Sequence, residues 1–121
     1  MNIKHRLIFL GAPYSHKDES VTDGRMKIFC RVVEYLINQG ALVHSPLLMH
    51  MVRKECPKIP GTWEYWESYA QRLMVFSDLY VVIKLEGWDS SVGVKGELEL
   101  AKKCKLPIMG LTFGTWEMDP L

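Results

Sequence analysis

Residues 77–101, "SDLYVVIKLEGWDSSVGVKGELELA", carry a strand, a turn and a helix in unbroken succession. "DLYVVIKL" is apolar and rich in β-branched residues, the strongest strand signal in the chain. The polar, glycine-containing loop behind it ends at Ser90 and Ser91, either of which suits the N-cap of a helix. The next strand is then expected at "LPIMGLT". Upstream, "RLIFLGA" is a short apolar run ending in small residues, as a buried parallel strand does. Between Thr22 and Gln39, Phe29, Val32, Val33 and Leu36 recur at helical spacing, and Gly40 supplies a stop. "ALVHS" is a second strand, ended by Pro46. Residues 47–61, with Pro57, Pro60 and Gly61, read as a loop with a helical turn around Met49 to Lys54. Thr62 is placed to cap a helix with Trp66, Tyr69, Ala70 and Leu73 on one face. Strands alternating with helices imply one α/β domain over residues 1–121. The expected fold is a small Rossmann-like (flavodoxin-like) parallel sheet with helices on both faces.

Composition narrows the function classes. A chain of 121 residues, 48% hydrophobic, suits a single core. A formal net charge of +1 gives no electrostatic case for duplex nucleic acid as a partner. Apolar runs such as "LYVVI" are too short to span a bilayer, so no membrane partner is expected. "MNIKHRLIFLGAPYS" sets a basic stretch before an apolar one, but it breaks at Gly11 and Pro13 without a small-residue cleavage site. A buried first strand is expected there instead of a leader. Cys30, Cys56 and Cys104 are odd in number, widely spaced and form no CxxC, which points to reduced thiols and a cytoplasmic protein. His44, His50 and Cys56 match no zinc spacing, and neither GxGxxG nor a P-loop occurs. No metal and no cofactor are expected.

In parallel sheets, ligands sit at the carboxyl ends of strands, here the loops at 11–20, 45–50 and 86–93. The helix after the last of these carries two different glutamates. Glu99 has Lys102 and Lys103 at i+3 and i+4, the spacing of a solvated ion pair. Glu97 has Gly93, Val94, Leu100 and Ala101 at the same offsets and no basic neighbour. It reads either as a pocket carboxylate or as a group that caps a neighbouring backbone or reaches solvent. The first-turn amides behind Ser91 are free to bind an anion. Lys95, disfavoured by the helix dipole, is either a contact to that anion or an exposed lysine.

"IFLGAPYS" and the 77–101 stretch resemble the two signatures of the nucleoside 2-deoxyribosyltransferase superfamily. The likeness is closest to a nucleotide N-hydrolase-like group from bacteria and phages with "YLASPYSH", "FSPIAHS", a "W..W" pair and "GW..SVGV..E...A". The matching pieces occur in order at Phe9–His16, His44–His50, Trp63/Trp66 and Gly87–Ala101. The resemblance implies that Glu97 is the nucleophile that attacks the anomeric carbon, displaces the base and forms a glycosyl ester. It also implies that Ser91 and Gly93 bind a 5′-phosphate, and that Tyr14, Ser15, Ser45 and His50 belong to the pocket. Arg25 reads as a phosphate partner or a solvated arginine, Trp66 and Trp88 as base-stacking or core aromatics, and Asp89 as a ribose contact or a turn former. The pattern departs from its relatives at two places. Phe9 stands where many have a tyrosine bonded to the nucleophile, with Tyr14 as the available substitute. Ala70 stands where most have an aspartate, and Glu67, one turn earlier, is the expected replacement.

Three functions follow from the resemblance. The first is an N-glycosidase acting on a (deoxy)nucleoside 5′-monophosphate, and the second a deoxyribosyltransferase. The third is a non-catalytic nucleotide-binding module. The partner is then a small nucleotide, and the resemblance also implies a homodimer or higher homo-oligomer.

Overall fold

β1 (Leu7–Gly11) and β3 (Leu79–Ile83) lie side by side at the centre of a five-stranded sheet in the computed structural model, which describes residues 1–121. β2 (Leu42–His44) pairs with the outer edge of β1, and β4 (Ile108–Leu111) with that of β3, all in parallel. β5 (Met118–Pro120) closes the sheet beside β4, giving the order β2-β1-β3-β4-β5. The fold is therefore the expected α/β sheet with one addition. β5 runs antiparallel, returning from the turn after β4. Three residues ending in a proline give no alternation to read, and an edge strand tolerates that proline.

The four helices are α1 (Glu19–Asn38), α2 (His50–Glu55), α3 (Trp63–Phe76) and α4 (Val92–Lys103). Phe29, Val32 and Leu36 of α1 pack on one face of the sheet against Ile8, Leu10, Leu79, Val81 and Ile83. Ala70 and Met74 of α3, with Val94, Leu100 and Ala101 of α4, cover the other face against Phe9, Tyr80 and Val82. Successive β3 side chains thus alternate between two cores, and all five residues are buried. That is why the segment reads as a continuous apolar run.

Local caps agree with the elements. The Asp18 side chain accepts from the Ser20 amide and starts α1 earlier than the expected Thr22. Ser91 caps α4, its hydroxyl accepting from the Val94 amide at 3.3 Å. Thr62 occupies the N-cap of α3 but makes no side-chain bond there. Its buried face is also turned from the expected one: Ala70 and Met74 are enclosed, while Trp66, Tyr69 and Leu73 are only half-buried. No helix is long and apolar enough to cross a membrane.

The chain leaves β1 toward β2 and leaves β3 toward β4. The carboxyl ends of these two central strands therefore flank a crevice at the topological switch point.

Candidate active site

Glu97 lies on the inward face of α4 and is only 9% exposed. The Tyr80 hydroxyl, from the second residue of β3, donates to its Oε1 at 2.8 Å. Phe9 and Tyr80 are paired across β1 and β3 with rings 5.6 Å apart, so both strands direct an aromatic side chain at the same face. Two residues beyond Phe9, Gly11 points the same way with no side chain. A Cβ there would run into both the Tyr80 hydroxyl and Glu97 Oε1. Gly11 is therefore the gap through which the phenol and the carboxylate meet.

Burial pushes the Glu97 pKa up to about 8, with the Tyr80 hydrogen bond pulling in the opposite direction. The Tyr80 hydroxyl is held well above its usual range by burial, by the negative charge of Glu97 and by the same bond. No cation offsets the burial of Glu97, and the chain's ion pairs, Arg31–Glu34 and Lys54–Asp23, lie elsewhere. Glu99 is exposed, and neither Lys102 nor Lys103 closes an ion pair with it.

Glu97 borders a cavity of about 1010 Å³ at the switch point, of a size to take a mononucleotide. The first loop, with Tyr14 and Ser15, forms one side, and Ser91 and Gly93 in the first turn of α4 form another. A Cβ at Gly93 would meet only the Ser91 hydroxyl, at an ordinary contact distance of 4.0 Å. His50 and Trp66 line the cavity as well. The His50 ring packs against Tyr14 at 4.0 Å, and its pKa is lowered by burial and by the charges of Arg53 and Lys54. The Trp66 indole donates to the Pro60 carbonyl at 2.9 Å. No Tyr14 hydrogen bond to Glu97 forms, and Tyr80 supplies that hydroxyl instead.

Arg25 also lines the cavity, but its guanidinium is engaged by backbone. It donates to the carbonyls of Tyr14 and Ser15 at 3.3 and 3.1 Å, and to that of Glu86 at 3.0 Å. It ties the loop after β1 to the loop after β3, and so is neither the phosphate partner nor the solvated arginine that the sequence left open. Ser45 is buried outside the cavity wall, its hydroxyl accepting from the Leu47 amide to start a short 3-10 turn. Asp89 and Lys95 are exposed and do not line the cavity. Trp88 packs against the core of the α3/α4 face. Ala70 is enclosed in that same core and stands away from the cavity. Glu67 is exposed and outside the wall, since no buried donor there repays the desolvation of a carboxylate.

Tyr80, Gly11, Arg53 and Trp63 have no part in the site as read from sequence. Arg53 lines the cavity, and its Nε is buried without a hydrogen-bond partner in the protein. Such an unpaired donor costs about 1–3 kcal/mol. The Trp63 indole lies against the bare Cα of Gly96, where a Cβ would overlap it. The glycines at 11 and 96 are the legible signal: each interrupts an apolar strand or a helix interior, where a glycine marks close approach.

Residues 6–112 match the family model described as "Domain of unknown function (DUF1937)". The chain belongs to the DUF1937 family. The matched DUF1937 region runs from the residue before β1 to the residue after β4 and so contains every residue of the cavity wall, while β5 falls outside it. Among curated proteins, none matches this DUF1937 chain.

Proposed function

We propose that this DUF1937 protein is an N-glycosidase that cleaves the base–sugar bond of a (deoxy)nucleoside 5′-monophosphate. The observation that carries the proposal is a lone buried carboxylate, Glu97, on the wall of a mononucleotide-sized cavity, with one oxygen held by a phenol. The sequence resemblance supports the same chemistry. Tyr80 occupies Oε1, which leaves Oε2 to attack the anomeric carbon. The C–O bond forms as the C–N bond breaks, the electron pair leaves with the base, and water then hydrolyses the glycosyl ester. The free amides behind Ser91 suit the phosphate, the more so because Arg25 is committed to carbonyls and Lys95 is outside the cavity.

Incubation with a panel of nucleosides and their 5′-monophosphates, followed by chromatography for free base, tests this function. Monophosphates should bind at least ~10-fold more tightly than the matching nucleosides, because charge-assisted hydrogen bonds are lost with the phosphate. Equal affinities would favour the transferase, in which a second base takes the sugar and a new nucleoside appears in place of sugar phosphate. The attack needs ionised Glu97, whose pKa lies at about 8. The value of kcat/KM should therefore rise about tenfold per pH unit below 8 and level off above it. A profile that falls over that range would exclude Glu97 as an ionised nucleophile in the free enzyme, and a flat one would mean that its carboxyl is already ionised throughout it.

A second reading, a nucleotide-binding module without chemistry, is favoured by one feature. Ala70 sits in the core and Glu67 in solvent, so neither offers an acid to the leaving base. Nucleotide binding without base release over the whole panel would decide for it.

A further inference from the structure

We infer that Arg53 grips the departing base through two adjacent acceptor atoms and takes up the charge that develops on it. The inference rests on the base–sugar cleavage proposed above. Three cationic side chains lie in or near the cavity, and only one of them is both on its wall and without a partner. Arg25 is bound to three carbonyls, and Lys95 is exposed beyond the wall. Arg53 lines the cavity yet makes no hydrogen bond or ion pair, while its neighbour Lys54 pairs with Asp23. Its guanidinium lies against the bare Cα of Gly61, where a Cβ would overlap Cζ and Nη2. The position is shaped for that group, and the group's own partner is missing from the protein.

Its location selects the part of the substrate it meets. Gly61 follows Pro60, whose carbonyl holds the Trp66 indole, and precedes Trp63, whose ring packs on Gly96 beside Glu97. Arg53 therefore stands on the aromatic wall. Ser91 lies six residues from Glu97, about 9 Å along the helix, at the end that suits the phosphate. With phosphate at Ser91 and the sugar at Glu97, the base falls against Trp63, Trp66 and Arg53. A guanidinium fork fits two neighbouring acceptors, such as O6 and N7 of guanine or N3 and O2 of cytosine. Adenine sets an amino donor beside N7 and fits poorly. As the C–N bond breaks, its electron pair moves onto the base, and hydrogen bonds from Arg53 stabilise that charge until water supplies a proton. This removes the need for the acid that Ala70 and Glu67 do not provide.

The test uses full-length Arg53→Met, Arg53→Lys and Gly61→Ala, the last of which displaces the guanidinium without removing it. Substrates are the deoxynucleoside monophosphates of guanine, cytosine and adenine, with p-nitrophenyl deoxyribosyl 5-phosphate as a substrate whose leaving group needs little help. Wild type should prefer guanine or cytosine over adenine. Arg53→Met should lose roughly 10- to 100-fold in kcat/KM on the preferred base, and at least tenfold less on the nitrophenyl substrate. Arg53→Lys should not restore the preference, because a point charge lacks the fork. Gly61→Ala should follow Arg53→Met. Equal losses on all substrates, or weaker binding of monophosphates but not of nucleosides, would overturn the inference, the latter by assigning Arg53 to phosphate. Calorimetric titration of guanine and adenine monophosphates separates this inference from the cleavage itself. If no base is ever released, yet a guanine preference is present in wild type and lost in Arg53→Met, the cleavage fails and the base contact stands. If base is released but wild type shows no preference among bases, the contact fails and the cleavage stands.

Discussion

Glu97→Gln should lower base release at least ~10³-fold and yet make the protein harder to unfold. The loss of rate follows from removing the only group placed to form the glycosyl ester, while the amide keeps the shape and the Tyr80 contact. The gain in stability follows from the pKa. Glu97 titrates at about 8 in the folded protein against 4.5 for the free side chain. Between those values the folded state binds a proton that the unfolded chain has released, so stability falls as pH rises from about 4.5 to 8. At pH 7 the deficit is on the order of 3 kcal/mol, and at pH 5 it is under about 1 kcal/mol. Glutamine carries no such deficit. Denaturant midpoints of the two proteins should therefore separate at pH 7 and approach each other at pH 5. A variant that keeps most of its rate would remove Glu97 from the chemistry. Equal pH dependence of stability would mean that the carboxylate is better solvated than its burial indicates.

Gly11→Ala should be the most damaging single methyl group in the chain. The added Cβ points at the Tyr80 hydroxyl and Glu97 Oε1, and neither can retreat easily. The Tyr80 ring is fully enclosed between β1 and α4, and Gly11 itself is paired to Val82 in the centre of the sheet. Overpacking of this kind costs about 1–3 kcal/mol. Moving a nucleophile by an ångström can cost about 10²-fold in rate. The expected result is a fall of that order in kcat with a smaller change in KM, since Ser91 and the aromatic wall are untouched. Gly93→Ala makes the control for stability, because its Cβ would meet only the Ser91 hydroxyl, at an ordinary contact distance of 4.0 Å. If Gly11→Ala retains full activity and an unchanged unfolding midpoint, the Tyr80–Glu97 pair is not fixed in the way described.

Elements whose signal is local were legible in the sequence. A serine cap at 90 or 91 (Ser91 in the structure), Glu97 on an apolar helix face and the doubly buried strand at 79–83 each follow from spacing within one segment. What escaped depends on which segments the topology brings together. Tyr80 looked like one more core aromatic in "LYVVI", because its single polar atom is satisfied by a residue 17 positions away. Arg25 looked free for phosphate because its acceptors include a carbonyl 61 positions away. Arg53 lay in a stretch read as loop with a helical turn, and only the folded chain sets it against Gly61. Glu67 was misplaced for a different reason. The helical wheel gives direction but not depth, and a carboxylate without a buried donor extends to water.

The pairing of Phe9 with Tyr80 also limits how this site can drift over generations. The two rings sit on adjacent strands in register and face the same helices. Exchanging the two side chains would invert the pair with little change in packed volume. The inversion needs two substitutions, however, and each order passes through a disfavoured ancestor. With two phenols, the second hydroxyl either takes Oε2, the oxygen the attack needs, or is left buried without a partner. With none, the carboxylate is left alone. Either intermediate carries a penalty of about 1–3 kcal/mol, a large share of the stability of a domain this small. The arrangement is thus held in place by its neighbours on the mutational path as much as by its own merit.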